Sequence, residues 1–394
     1  MKNNNFIIKA SNQMDRLPTQ FFSTLVGKVN GFIASGYDVI NLGQGNPDLP
    51  TPPHIVQSLQ NAALNPINHK YPPFTGKTEL KEAICTWYRT EYGVTLDPKK
   101  EVAILFGTKT GLVEISQILL NPGDIALVPD PGYPDYWSGI AIAGAEMVQM
   151  PLDYSNGCFP DFSKITANQC RHAKLMFLNY PSNPTGACAT NSFFDEAIRF
   201  AEKNNIVIAH DFAYGAIGFD GHRPISFLSR PGAKDVGIEF YTLSKTYNMA
   251  GWRVGFALGN HELIQLINEF QDHYFVSLFG GIQDAAITAL TSSQECVRKL
   301  VGTYELRRNA LFEELKKLGW NAPLPKGSFF AWLPVPKGYT SSEFADTLLE
   351  KAKVVVAPGI GFGKHGEGYV RLGLLAEEDR IREAMQRISK LSIF

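Results

Sequence analysis

Lys245 follows two hydroxyl residues, Thr242 and Ser244, and precedes Arg253 by eight positions. A primary amine, two hydroxyls and a guanidinium are the groups that a phosphorylated aldehyde needs. The amine condenses with the carbonyl, and the other groups hold the phosphate. A lone lysine and arginine at such a spacing are more often a surface cation and a structural ion pair. The weight therefore falls on what the rest of the chain supplies.

Other short motifs stand where apolar runs end. Gly107-Thr108-Lys109 follows Val102–Phe106 and opens a helical pattern, where backbone N–H groups and the helix dipole favour an anion. Tyr133 lies in the proline-rich turn Pro129–Tyr136 and reads equally as a ring packed on proline or as a functional aromatic. Asn183, in the turn after Leu175–Leu178, reads as a helix cap or as a site residue. Asp211 ends the apolar run that begins at Ile206, where an unpaired carboxylate is costly. It calls for a cation, and a protonated pyridine nitrogen would make chemical use of it. Gly361–Gly366 matches G-x-G-x-x-G, but it runs into a strand-like segment instead of a helix, so a dinucleotide site is not expected. The eight histidines lack ligand spacing, and no catalytic metal is expected.

The elements that must position these groups can be read from periodicity. Strand-like runs fall at 102–106, 125–128, 146–150, 174–178, 206–209, 239–243 and 254–258, with helical patterns between several of them. Continuously apolar strands alternating with helices predict an α/β fold with a mostly parallel seven-stranded sheet covered on both faces. Ligands of such sheets sit at the carboxyl ends of the strands, where the motifs above fall. Upstream, 17–34 and 79–92 read as helices, and 38–48 as a short strand ending in a glycine-rich loop. Beyond Cys296 come a long helix, 297–318, a strand at 327–333, a helix at 341–352, strands at 354–357 and 369–374, and a final helix, 377–391. The expected division is an N-terminal arm with part of a small domain (1–48), a large domain (49–295) and a small C-terminal α/β domain (296–394).

Composition narrows the class. The chain has 394 residues, is 44% hydrophobic and carries a net charge of −1, so a large core is available and no basic footprint invites nucleic acid or a membrane surface. Five scattered cysteines without a CxxC argue against a disulfide framework or a zinc site. The polar N-terminus and the lack of a membrane-length apolar run lead us to expect a cytoplasmic protein.

Lys245 with its flanks, Asn183-Pro-Thr-Gly186, Asp211 with Tyr214, and Arg371 together resemble the class I/II aminotransferases of fold type I, in that family's order and over nearly the whole chain. More narrowly, the segments 17–22, 41–48 and 391–394 resemble the methionine-salvage transaminases of Bacillus type. The resemblance implies pyridoxal 5'-phosphate as cofactor and Lys245 as the Schiff-base lysine that also moves the substrate's proton. It implies that Asp211 holds a proton on the ring nitrogen, that Tyr214 and Asn183 bond the ring's phenolate oxygen, and that Tyr133 stacks on the ring. Thr108, Lys109, Thr242, Ser244 and Arg253 would hold the phosphate; the family often has serine at the place of Thr242. Arg371, with Gly43 and Asn183, would grip the substrate α-carboxylate. Tyr71 would reach the phosphate of a neighbouring subunit, which implies a homodimer.

The same fold houses carbon–sulfur β-lyases and cofactor-binding regulators, and aminotransferases acting on aspartate, alanine, aromatic amino acids or LL-diaminopimelate share the core motifs. A regulator would carry an added basic DNA-binding domain, for which this chain has neither length nor charge. The apolar stretch Gln271–Phe279, with Tyr274, Phe275, Leu278 and Phe279, reads either as packing between subunits or as the wall that selects an uncharged substrate. On the second reading the methionine/4-methylthio-2-oxobutanoate pair is expected.

Overall fold

The computed structural model describes residues 8–19, 21–274 and 277–394. Its largest sheet contains β2 (Val102–Leu105), β3 (Ile125–Asp130), β4 (Glu146–Pro151), β5 (Ala173–Asn179), β6 (Val207–Asp211), β7 (Gly237–Thr242) and β8 (Gly255–Gly259), following β1 (Ile40–Asn41) in the chain. The seven strands are ordered β2-β8-β7-β6-β5-β3-β4, and only β8 runs against its neighbours. The central strands have no solvent face. Met176, Phe177, Ile208, Ala209, Ile238 and Phe240 are all fully buried, which explains why they read as continuous apolar runs.

The helices that cover this sheet are specified locally. Helix Asn191–Asn204 starts where the Thr190 hydroxyl accepts the Phe193 N–H at 3.2 Å, and it ends at Asn205 in the left-handed region (φ 54°). Phe193, Phe194, Ala197, Ile198 and Ala201 recur at helical spacing and are buried on one face. Burying a ring such as that of Phe194 contributes about 2–3 kcal/mol, and truncating it to alanine would cost about 3–5 kcal/mol.

A second, three-stranded antiparallel sheet contains β9 (Phe330–Pro334), β11 (Ala357–Pro358) and β12 (Tyr369–Gly373) in the order β11-β12-β9, with Trp332 opposite Arg371. β1 pairs in parallel with β10 (Val354–Val355), so the segment near residue 40 packs with the C-terminal part of the chain. The long helix Glu295–Leu318 joins the two regions, and its Tyr304, Leu311 and Leu315 enter the core around the smaller sheet. The N-terminal helix read over 17–34 begins at Phe21, and the one read over 341–352 becomes a π-helix from Leu348. Gly361–Gly366 forms 3-10 turns ahead of β12. No helix among the described residues is long and apolar enough to cross a membrane.

Candidate active site

The carboxyl ends of β2, β3, β5, β6 and β7 open into one cavity of about 840 Å³, closed on its far side by Phe330 and Arg371 of the smaller sheet. Every residue assigned to the cofactor or to the substrate carboxylate lines it except Tyr71. Tyr71 is 85% exposed, so within one chain it takes no part.

β7 ends in a tight turn. The Thr242 hydroxyl caps the short helix Leu243–Thr246 by accepting the Ser244 N–H at 3.1 Å, and the two hydroxyls lie 2.9 Å apart. Lys245 on that helix donates from Nζ to the Gly45 carbonyl at 3.0 Å. Burial, with help from Arg371 and Arg253, brings its pKa down to about 8, so the amine is readily neutral. Arg253 sits in the left-handed region (φ 58°) and is held by the Ala250 carbonyl at 2.9 Å. Its guanidinium lies against Gly107, where an added Cβ would come within 2.3 Å of Nη2, so only glycine fits (φ 76°). Gly107 in turn sets the start of helix Thr108–Leu119, whose free N–H groups face the same place. Lys109 lines the cavity from that turn while paired with Asp135 at 2.9 Å.

Asp211 ends β6 in register with Asn179 of β5 and Phe240 of β7. Burial raises its pKa, and hydrogen bonds oppose the shift: the Tyr136 hydroxyl donates to Oδ2 at 2.8 Å and the Ala213 N–H to Oδ1 at 3.2 Å. Among the described residues no basic side chain makes a salt bridge with it. Tyr133 stands at the cavity wall with its ring edge-on to Tyr136, centroids 5.6 Å apart. Tyr214 packs edge-on against Phe329 and Phe330, and burial drives its phenol pKa upward.

Arg371 on β12 donates to Asn183 Oδ1 at 2.8 Å and to the Gly43 carbonyl at 3.0 Å. Asn183 thus faces the cavity, and the helix cap that it also suggested falls to Thr190. The rings of Phe330, Phe362 and Phe22 lie 3.9, 4.7 and 5.6 Å from the Arg371 guanidinium carbon. Burial lowers the pKa of this arginine to about 10, and its buried Nε has no hydrogen-bond partner among the described residues.

The cavity therefore offers an anion cradle at one end, a buried carboxylate without a cationic partner, a partly activated amine, and a desolvated arginine at the other end. This set fits a phosphorylated pyridine aldehyde: the cradle matches a phosphate, Asp211 a protonated ring nitrogen, and Lys245 the aldehyde carbon.

Two features escaped the sequence reading. Tyr136 is the direct partner of Asp211, and its only trace was its place three residues after Tyr133. Within this chain the apolar wall comes from helix Phe21–Ala34, whose Phe22, Leu25, Val26 and Val29 line the cavity, while the described residues of Gln271–Phe279 do not line it. There, Gln271 is buried and bonded to Glu114, Leu278 is buried in the core beneath the large sheet, and Tyr274 and Phe279 are exposed away from the cavity. Phe275 lies outside the described residues.

An α/β fold of this topology with a lysine, aspartate and arginine so placed defines a pyridoxal-phosphate-dependent transferase of fold type I. The profile for aminotransferase class I and II matches residues 37–388, and the chain belongs to that family. It is 59% identical over 384 residues to the L-glutamine--4-(methylsulfanyl)-2-oxobutanoate aminotransferase of Bacillus subtilis strain 168, covering 98% of this chain and 96% of the relative. It is 52% identical over 390 residues to the transaminase BacF of the same organism, covering 98% and 97%. The substrate-bound structure of BacF superposes with a TM-score of 0.95 at 49% identity, over 98% of both chains. The aspartate aminotransferase of Thermus thermophilus with maleate gives 0.91 at 27% identity, over 98% and 100%. The chain is accordingly an aminotransferase that uses pyridoxal 5'-phosphate.

Proposed function

We propose that this enzyme exchanges an amino group between methionine and 4-methylthio-2-oxobutanoate, with L-glutamine as a further donor. The carrying observation is the wall facing Arg371, where Phe22, Leu25, Val26, Val29 and Val355 present apolar surface. Among the described residues, the basic side chains lining the cavity are Lys109, Lys245, Arg253 and Arg371, and Lys109 is already paired. A second substrate carboxylate would meet no cation there, and burying it unpaired is expensive. The name of the 59% identical relative, which carries both glutamine and this keto acid, supports the same reading.

Pyridoxal phosphate, when bound, supplies the carbonyl that takes up the amino group and the ring that withdraws electrons. The protein's part is assigned residue by residue. Thr108, Lys109, Thr242, Ser244 and Arg253 hold the phosphate, the first two largely through backbone N–H groups. Asp211 keeps a proton on the ring nitrogen, with Tyr136 setting its orientation. Tyr133 covers one ring face, and Tyr214 and Asn183 donate to the ring oxygen. Arg371 forks onto the substrate α-carboxylate beside Gly43, and the neutral Lys245 Nζ takes the proton from the substrate Cα.

We place a large unit at 49–295 and a small one at 296–394, with the N-terminal arm at 1–48 contributing part of the small one. The separate apolar clusters around the two sheets and the β1–β10 pairing support that division. The active form is a homodimer, working in the cytoplasm, with Tyr71 reaching the partner's phosphate site. The exposed apolar group Leu64, Ile67, Tyr71 and Phe74 suits a second copy of the chain.

The test is kcat/KM for methionine, glutamine, aspartate and LL-diaminopimelate with a common acceptor. Methionine and glutamine should lead. Leucine activity would be compatible, since apolar pockets separate neighbours by only about 1–3 kcal/mol. Aspartate or diaminopimelate ahead by about tenfold, roughly 1.4 kcal/mol, overturns the assignment. Pyruvate and ammonia released from a sulfur amino acid without any keto acid would identify a β-lyase instead.

A further inference from the structure

His210 has no part in the chemistry above, yet it is tied into the strand that delivers Asp211. It precedes Asp211 on β6, so its side chain leaves the opposite face of the sheet. It and its register partner Glu239 on β7 are both completely buried. His210 Nδ1 lies 2.8 Å from Glu239 Oε2, and Nε2 lies 3.1 Å from the Tyr180 carbonyl oxygen. The Glu239 carboxyl group also takes three other donors: the Tyr88 hydroxyl at 2.9 Å and the Ser226 hydroxyl at 2.7 Å on Oε1, and the Phe227 N–H at 2.8 Å on Oε2. A carbonyl oxygen only accepts, so Nε2 carries a proton, and Nδ1 shares a second proton with Glu239 Oε2. The other walls are the rings of Phe194, Phe212 and Phe227, with centroids 5.1, 5.2 and 6.1 Å from the imidazole.

A fully buried polar or charged pair seldom adds net stability over a well-packed apolar one, so stability alone does not account for it. What it touches is more informative. Tyr180 opens the turn that carries Asn183. Within that turn the Asn183 N–H donates to Asn179 Oδ1 at 2.7 Å, and Asn179 Nδ2 donates to the Asp211 carbonyl at 2.8 Å. Asn183 in turn receives Arg371.

We propose that His210 is a positioning residue for transamination: clamped as an imidazolium between Glu239 and Tyr180, it sets a positive charge behind Asp211 on the far side of the sheet and fixes the turn that presents Asn183. Burial is the main influence raising the proton affinity of Asp211; the Tyr136 hydrogen bond and then the His210 charge are the leading influences that lower it. The inference rests on the role given to Asp211 above.

Two measurements test it. The first is nitrogen NMR of histidine-labelled full-length protein, with and without pyridoxal phosphate, from about pH 6 to about pH 9. His210, recognised by its protection from exchange with water, should keep both N–H protons throughout. A bare ring nitrogen near neutral pH overturns the proposal, whatever Asp211 does. The second is the double variant H210Q/E239Q, which removes both charges without stranding either and keeps polar side chains in place. Its kcat should fall roughly tenfold, with the acid limb of the kcat profile displaced to higher pH as Asp211 holds its proton more tightly. A kcat and an acid limb equal to the parent's overturn the positioning role. If the double variant does not fold, the NMR result decides. An active Asp211→Ala enzyme would remove the role of Asp211 while leaving the imidazolium observable, so the two failures are distinguishable.

Discussion

Arg371 and Asn183 meet across the two sheets: the guanidinium on β12 donates at 2.8 Å to an amide in the turn after β5. Because the same turn is bonded to the backbone of Asp211, the arginine that would grip a substrate carboxylate and the aspartate that would face the cofactor's ring nitrogen are tied to one segment. Placement of this kind contributes to rate through orientation, and small displacements are costly.

The two cavity arginines serve different anions, and their losses should separate. Arg253→Ala weakens pyridoxal phosphate binding by about 2 kcal/mol, roughly thirtyfold in Kd. Arg371→Ala leaves cofactor affinity nearly unchanged and raises KM for amino and keto acids. Cofactor titration alongside steady-state kinetics checks this, and equal loss of cofactor affinity in both variants contradicts it.

Tyr136→Phe removes the leading hydrogen bond that counters the burial of Asp211. A bond to a charged acceptor is worth about 1.5–3 kcal/mol, so the carboxylate should bind its proton more tightly without it. The acid limb of the kcat profile moves to higher pH. An unmoved limb means that Tyr136 only packs.

Lys245→Ala abolishes transamination. In the cofactor-free chain, Lys245→Met should also change the dependence of stability on pH. The lysine's pKa falls from 10.5 to about 8 on folding, so between those values the unfolded chain binds more protons and stability rises with pH. Below pH 8 the buried charge is fully penalised, and the methionine variant should be more stable than the parent by about 2 kcal/mol, the full shift being discounted for solvent in the cavity. Urea melts near neutral pH and near pH 10 measure the difference. Identical slopes for both proteins would be the contrary result.

Tyr71→Ala and Lys245→Ala, each inactive alone, should partly restore activity when mixed under conditions of subunit exchange. A mixed dimer contains one site with both residues intact. If mixing restores nothing, Tyr71 does not act across an interface.

Asp211 and Asn183 could be singled out in the sequence because each stands where a buried strand gives way to a turn. An apolar run long enough to cross a sheet must end at its carboxyl edge, and the polar residue found there faces the cavity. Lys245 stood out by its spacing from two hydroxyls and Arg253, whereas Arg371, inside β12, was named only through the family resemblance. The burial of the strands follows from the same continuous apolar pattern, but their order in the sheet does not. What tertiary structure alone decided is which distant residues share a wall. Helix Phe21–Ala34 shows the same apolar stripe whether it packs on a core or roofs a cavity, and only its seat over Arg371 distinguishes the two. Gln271–Phe279 looked just as suitable, but its described residues do not line the cavity of their own chain. Likewise Tyr136 and His210 carry no pattern in one dimension. Their partners lie 75 and 29 residues away, and a hydrogen bond at that separation exists only once the sheet has aligned its strands.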